Sequence, residues 1–304
     1  MKKLLALGLF LSMSAVSVVH AQQDPQYTQY MYNQNVINPA YAGTQENLRV
    51  TALYRQQWSG ITGAPETITL SGSTPLGDRV GLGLSVIADN IGPVGETNVY
   101  GDFSYKLQVG DATTLALGLK AGATFFDVDL NTVQTTVPGD PLFSEQLNET
   151  YLNVGAGAFL YGSNWYVGFS VPNMLNSTHL DEDGLEFGSE TQHYFLTGGY
   201  VFDLSENVKL KPHALIKGAF DSPVSFDVNT NVLFNEKFEL GVSYRYEDSF
   251  SGLIGMYVTD NIQVGYAYDR VISDISVVSN SSHEVFVSFG LAFPRKVMQS
   301  PRFF

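Results

Sequence analysis

The 304 residues contain no cysteine. That excludes disulfides, thiol catalysis, thiolate metal sites and the lipidated cysteine of a lipoprotein. Positive charge is scarce, with 16 Lys and Arg against 30 Asp and Glu, a formal net charge of −14. Nucleic acid needs clustered cations and is not an expected partner. Histidine occurs only at His20, His179, His193, His213 and His283, with no two at metal-ligand spacing. There is no G-x-S-x-G, and plentiful serines alone do not make a nucleophile with a base and an orienting group. No catalytic, cofactor or metal residue is therefore assigned, and the chain does not read as an enzyme. Past residue 21, no apolar run approaches the roughly 18 residues of a membrane-spanning helix.

What is present begins with an export signal. Lys2 and Lys3 precede the apolar stretch Leu4 to Val19, and Val19-His20-Ala21 ends on a small residue suited to cleavage. Residues 1–21 are read as a signal peptide. Losing Lys2 and Lys3 takes the formal charge from −14 to −16.

Beyond it, the chain alternates with period two. In "RVGLGLSVIAD" (79–89), Val80, Leu82, Leu84, Val86 and Ala88 oppose Gly81, Gly83, Ser85 and Asp89. In "HEVFVSFGLAF" (283–293), Val285, Val287, Phe289, Leu291 and Phe293 oppose Glu284, Ser288, Gly290 and Ala292. Such strands have an apolar and a polar environment on their two sides. About 14 of them, each roughly 9–14 residues long, exceed the strands of a soluble sandwich and suit tilted membrane spans. The spans expected are 48–58, 65–74, 79–89, 96–108, 112–127, 150–161, 163–172, 191–203, 207–219, 223–235, 237–247, 249–259, 261–272 and 282–293. Short polar turns such as "LGDR" and "TDN" alternate with mostly longer links at 57–65, 89–97, 128–149, 173–190 and 273–282. Two links on the longer side, near "DSP" and "EDS", are short. The fold expected is all-β, a transmembrane antiparallel β-barrel with short periplasmic turns and longer outer loops. An even strand count places both termini in the periplasm of a cell with an outer membrane. The expected organisation is a signal at 1–21, a periplasmic segment at 22–47, a barrel at 48–293 and a tail at 294–304. Trp58, Trp165, Tyr166, Tyr246 and Tyr257 fall near strand ends, where rings suit the headgroup level.

Three further features bear on function. "NVKLKPHALIK" (207–217) sends Lys209, Lys211, His213 and Lys217 to one face. Charge is costly against lipid, so that face is the lumen. Asp102, Asp227, Glu239 and Glu284 could supply acidic partners there, either in an internal ion-pair network or along a selective channel. "DEDGLE" (181–186) clusters Asp181, Glu182, Asp183 and Glu186 without the spacing of a calcium loop, and reads as a solvated acidic loop. In the outer loops, Leu142, Phe143, Leu175, Leu185 and Phe187 are candidate contacts for another protein, or cover the barrel mouth.

The run "QDPQYTQYMYNQNVINPAYAGT" (23–44), followed by "ALYRQQWSG" (52–60), resembles the PorP/SprF family of Bacteroidetes outer-membrane proteins. "SVPNML" (170–175) and "SPRFF" (300–304) are compatible with it. The resemblance implies an outer-membrane component associated with type IX secretion and, in some species, gliding motility. It also implies partners: large adhesins or other cargo held at the surface through a C-terminal sorting domain, other secretion components, and membrane lipid. From the residues themselves, Tyr30, Tyr32 and Tyr41 offer contact area, and Asn33, Asn35 and Asn38 offer uncharged donors and acceptors. Pro39 biases Asn38 to extended geometry. The segment could plug the lumen, cap the periplasmic rim or bind a partner. A general diffusion porin or hydrophobic-solute transporter is the alternative function.

Overall fold

The computed structural model describes residues 25–130, 146–175, 181–182, 185–186, 192–219 and 222–291. The strands are β1 (Leu48–Gln56), β2 (Glu66–Leu76), β3 (Val80–Ile91), β4 (Val94–Gly110), β5 (Thr113–Asp129), β6 (Gln146–Tyr161) and β7 (Trp165–Val171). Next come β8 (Asp181–Glu182), β9 (Leu185–Glu186), β10 (His193–Tyr200), β11 (Phe202–Ser205) and β12 (Val208–Ala219). The last are β13 (Ser222–Phe234), β14 (Phe238–Arg245), β15 (Ser249–Thr259), β16 (Ile262–Val271) and β17 (Ser281–Leu291). Strands β8 and β9 pair only with each other.

All the others form one antiparallel ring. Each pairs with its neighbour in sequence, β10 joins β7 to β12, and β1 pairs with β17 from Leu48↔Leu291 to Gln56↔His283. Strands β10 and β11 together make one stave, interrupted at Val201, so the closed barrel has 14 staves.

The wall is inverted relative to a soluble barrel. On β17, Val285 and Phe289 are each 43% exposed on the outside, whereas Glu284 and Ser288 are 1% and 2% exposed toward the lumen. The same alternation puts Leu82 and Leu84 outward on β3 and Ser85 and Asp89 inward. A surface of Leu, Val, Ile and Phe encircling a polar interior is stable where its outer solvent is hydrocarbon.

At one mouth lie Leu48, Leu291 and the turns 77–79, 111–112, 162–164, 206–207, 235–237 and 260–261. At the other mouth lie the opposite strand ends, which the chain joins through 57–65, 92–93, 130–145, 172–192, 220–221, 246–248 and 272–280. One expected long loop is absent. Residues 89–97 are mostly ladder, which runs to Ile91↔Val94 and leaves only Gly92-Pro93 to turn. Gly92 takes φ +57°, a left-handed conformation that glycine adopts without a Cβ clash. Two expected headgroup aromatics also sit elsewhere. Tyr166 is buried in the lumen against Phe159, and Tyr257 lines an inner cavity with Tyr41.

Candidate functional site

The lumen is occupied by the chain's own residues 25–47. From Tyr27 to Thr44 every residue is buried except the half-buried Tyr32. The local fold is a series of single turns: a 3-10 turn at Tyr30–Tyr32, one α-helical turn at Gln34–Ile37 and a 3-10 turn at Pro39–Tyr41. Asn38 is extended (φ −132°, ψ 110°), as the residue before proline favours. Its Oδ1 accepts from the Ala40 N–H at 2.9 Å and caps the last turn. Its Nδ2 donates to the Ala158 carbonyl in the wall at 3.1 Å. Gly43, at φ +65°, ends the series.

The wall grips this segment through buried ion pairs. Arg55 of β1 lies 2.8 Å from Asp269 and 3.0 Å from Glu284, and its Nη1 donates to Thr28 Oγ1 at 3.0 Å. The Thr28 and Gln29 N–H groups donate to the two Glu284 oxygens, each at 2.8 Å. Arg245 makes a two-pronged contact with Asp227 and donates to the Tyr27 carbonyl at 3.0 Å. Lys120 pairs with Asp102 at 2.8 Å, and the other Asp102 oxygen accepts from Asn35 Nδ2 at 3.0 Å. Lys211 pairs with Glu239 at 2.9 Å, and Asn231 donates to both Glu239 and the Tyr32 hydroxyl. Taking such charges out of water costs several kcal/mol per ion, and the added hydrogen bonds to the segment help offset it. The geometry therefore couples wall and segment: Glu284, Asp102 and Arg245 each bond a group of the segment as well as their partner in the wall.

Shape does the rest. Wall glycines face the segment where it comes closest: a Cβ on Gly81 would lie 2.0 Å from the Ala42 carbonyl oxygen, and one on Gly118 would lie 2.1 Å from the Ala40 nitrogen. Tyr27, Tyr30, Met31, Val36 and Ile37 pack with inward Leu53, Ile87, Phe195, Leu215 and Phe286. Tyr41 meets Phe159 edge-on, with ring centroids 5.4 Å apart.

Of the residues singled out from sequence, Tyr30, Asn33, Asn35, Asn38, Pro39 and Tyr41 are all buried within the lumen, with Tyr32 half-buried among them. Lys211 and His213 are buried there too, and Lys217 lies over the Phe195 ring at 5.8 Å. Lys209 instead pairs with exposed Asp203 near the short-turn mouth. The acids Asp102, Asp227, Glu239 and Glu284 are all inward, but only Glu239 pairs with a lysine of β12. The other three meet Lys120, Arg245 and Arg55, which sequence reasoning passed over. Their signal was a lone cation on the polar side of an alternating strand. Phe286 and Leu215 were likewise legible as apolar residues on a polar face. Leu175 is exposed at the long-connection mouth and Leu185 lies in β9. Leu142, Phe143, Phe187, His179 and Asp183 lie outside the described residues. His193, His213 and His283 stand on three different strands.

A cavity of about 80 Å³ borders the segment toward the long connections, lined by Pro25, Gln26, Tyr30, Phe195 and Arg245 among others. Another of about 200 Å³ opens toward the short turns, lined by Tyr41, Thr44, Arg49, Tyr257 and Gln263 among others. The two share no lining residue, and the segment stands between them.

A family model described as "Type IX secretion system membrane protein PorP/SprF" matches residues 19–289. No match is found among curated proteins. Among solved structures, the CymD monoaromatic hydrocarbon channel is similar with a TM-score of 0.51 at 14% identity, over 86% of this chain and 93% of that one. The Ralstonia pickettii toluene transporter TbuX is similar with a TM-score of 0.50 at 10% identity, over 85% of this chain and 93% of that one. At such identities the likeness is one of fold, that of outer-membrane barrels.

Proposed function

The chain belongs to the PorP/SprF family of type IX secretion membrane proteins, and from that premise we propose that it is a plugged outer-membrane anchor rather than a pore. In this reading it assists secretion of a large adhesin or other cargo and holds it at the cell surface through the cargo's C-terminal sorting domain. In a gliding cell the retained adhesin would serve motility. The short turns face the periplasm and other secretion components, and the long connections face outward. Leu175, with Leu142, Phe143, Leu185 and Phe187, belongs to the cargo-facing side. Residues 26–43 are the plug. Lys211 and His213 belong to the network that seats it, not to a conduction path.

The observation that carries this reading is that the lumenal ion pairs of Arg55, Arg245 and Lys120 each bond the inner segment directly, and the Lys211–Glu239 pair does so through Asn231. A conducting channel leaves its charged lining to water and solute, whereas here it is consumed by the chain itself. Planar bilayers with purified protein test it. The wild type is expected to show no stable conductance, and cargo is expected to co-purify from native membranes in mild detergent. A large, steady conductance from the intact chain would favour the porin or hydrophobic-solute transporter. Deleting 26–43 behind the signal separates two roles of the segment. Normal insertion with lost cargo display indicates partner contact, and a barrel that fails to assemble indicates a structural plug.

A further inference from the structure

The direction in which the inner segment runs has a topological consequence. Tyr27 and Thr28 bond Thr69, Arg245, Asp269 and Glu284. Each of these lies within three residues of a strand end at the long-connection mouth. Ala42 accepts from Ser104 and abuts Gly81, the second residue of β3, at the short-turn mouth. The chain therefore descends the whole lumen before it reverses into β1 at Leu48. Pro25 and Gln26 line the cavity beside Asn173 and Arg245, at the opposite mouth from Leu48 and Leu291. The sequence-based expectation that residues 22–47 start on the short-turn side does not fit this path.

We propose that the barrel is threaded by its own N-terminal segment, so that residues 25 and 26 form part of the mouth surface offered to a partner outside the cell. The outside assignment and the partner rest on the anchor reading above, while the threading does not. Gln26 is half-buried, and its Oε1 accepts a hydrogen bond from Arg245 Nη1 at 3.1 Å.

A chain without cysteine suits accessibility labelling, since a single introduced thiol is the only target. Intact cells carrying Gln26→Cys or Pro25→Cys are treated with a membrane-impermeant maleimide. Val277→Cys, at an 88% exposed position of connection 272–280, and Glu206→Cys, in turn 206–207, mark the two mouths. Residues 25 and 26 are expected to label in intact cells to the same extent as Val277→Cys. Glu206→Cys is expected to label only after the outer membrane is permeabilised. Labelling of positions 25 and 26 in step with Glu206→Cys, or no labelling of either, overturns the threading. If both follow Val277→Cys but all three need permeabilisation, the threading stands and the assumed orientation falls. Coupling a bulky polyethylene-glycol maleimide at Gln26→Cys is expected to reduce the cargo held at the surface. Undiminished cargo on fully modified cells overturns the partner half alone.

Discussion

The two ends of the inner segment are held by different physics. Around Tyr27–Gln29 the wall supplies charge: Arg245 with Asp227, and Arg55 with Asp269 and Glu284. Around Pro39–Gly43 it supplies absence, with glycines at 81 and 118 that let two backbones approach closer than any Cβ would permit. Wall bonds at that end include two to backbone carbonyls, from Ser104 Oγ to Ala42 at 2.6 Å and from the Lys106 ammonium to Gly43 at 2.9 Å, with no buried ion pair among them. Buried ion pairs stabilise little in net terms but are costly to break singly, so they fix which atoms meet. Close packing onto glycine fixes how near they come. At the first end paired charges select the fit, and at the second close backbone approach does most of the selecting.

The largest effect is expected from Arg55→Ala. It leaves Asp269 and Glu284 buried without their cation, a loss of about 3–5 kcal/mol. Urea titration in lipid vesicles checks it, and limited proteolysis should open the chain near residues 26–30 while 39–43 stay protected. Gly81→Val inverts the pattern. The new side chain collides with Ala42, and the cost of overpacking is about 1–3 kcal/mol. Cleavage should then appear near 39–44, with the charged end intact. If either variant frees both ends together, the two grips are one cooperative unit and the contrast is lost. Tyr32→Phe sharpens the scale at its small end. Asn231 keeps Glu239 as a partner, so the loss is about 1 kcal/mol and the proteolytic pattern is unchanged.

The wall was readable because its information is local. Alternation such as Glu284, Phe286, Ser288 against Val285, Val287, Phe289 needs only the strand itself, and turn residues mark its ends. The inward orientation of Asp102, Asp227, Glu239 and Glu284 followed from the same rule. Their partners did not, because which cation reaches which acid depends on stagger around a closed ring. Arg55 meets Glu284 only because β1 lies beside β17. The link at 89–97 misled because turn-rich composition resembles a loop, yet ladder bonds persist there to Gly92-Pro93. The tyrosines and asparagines of 30–41 announced contact, but no local pattern encodes the direction in which a segment crosses a lumen. That depends on atoms such as the Tyr27 carbonyl, whose donor is 218 residues away.

Glu284 sits at the joint where the first stave meets the last. Its carboxylate faces Arg55 across that joint, 229 positions distant in sequence, and also receives the amides of Thr28 and Gln29. One carboxylate thus takes donors from both the closing seam and the inner segment, so a change at Glu284 disturbs the closure of the cylinder and the seating of its contents together.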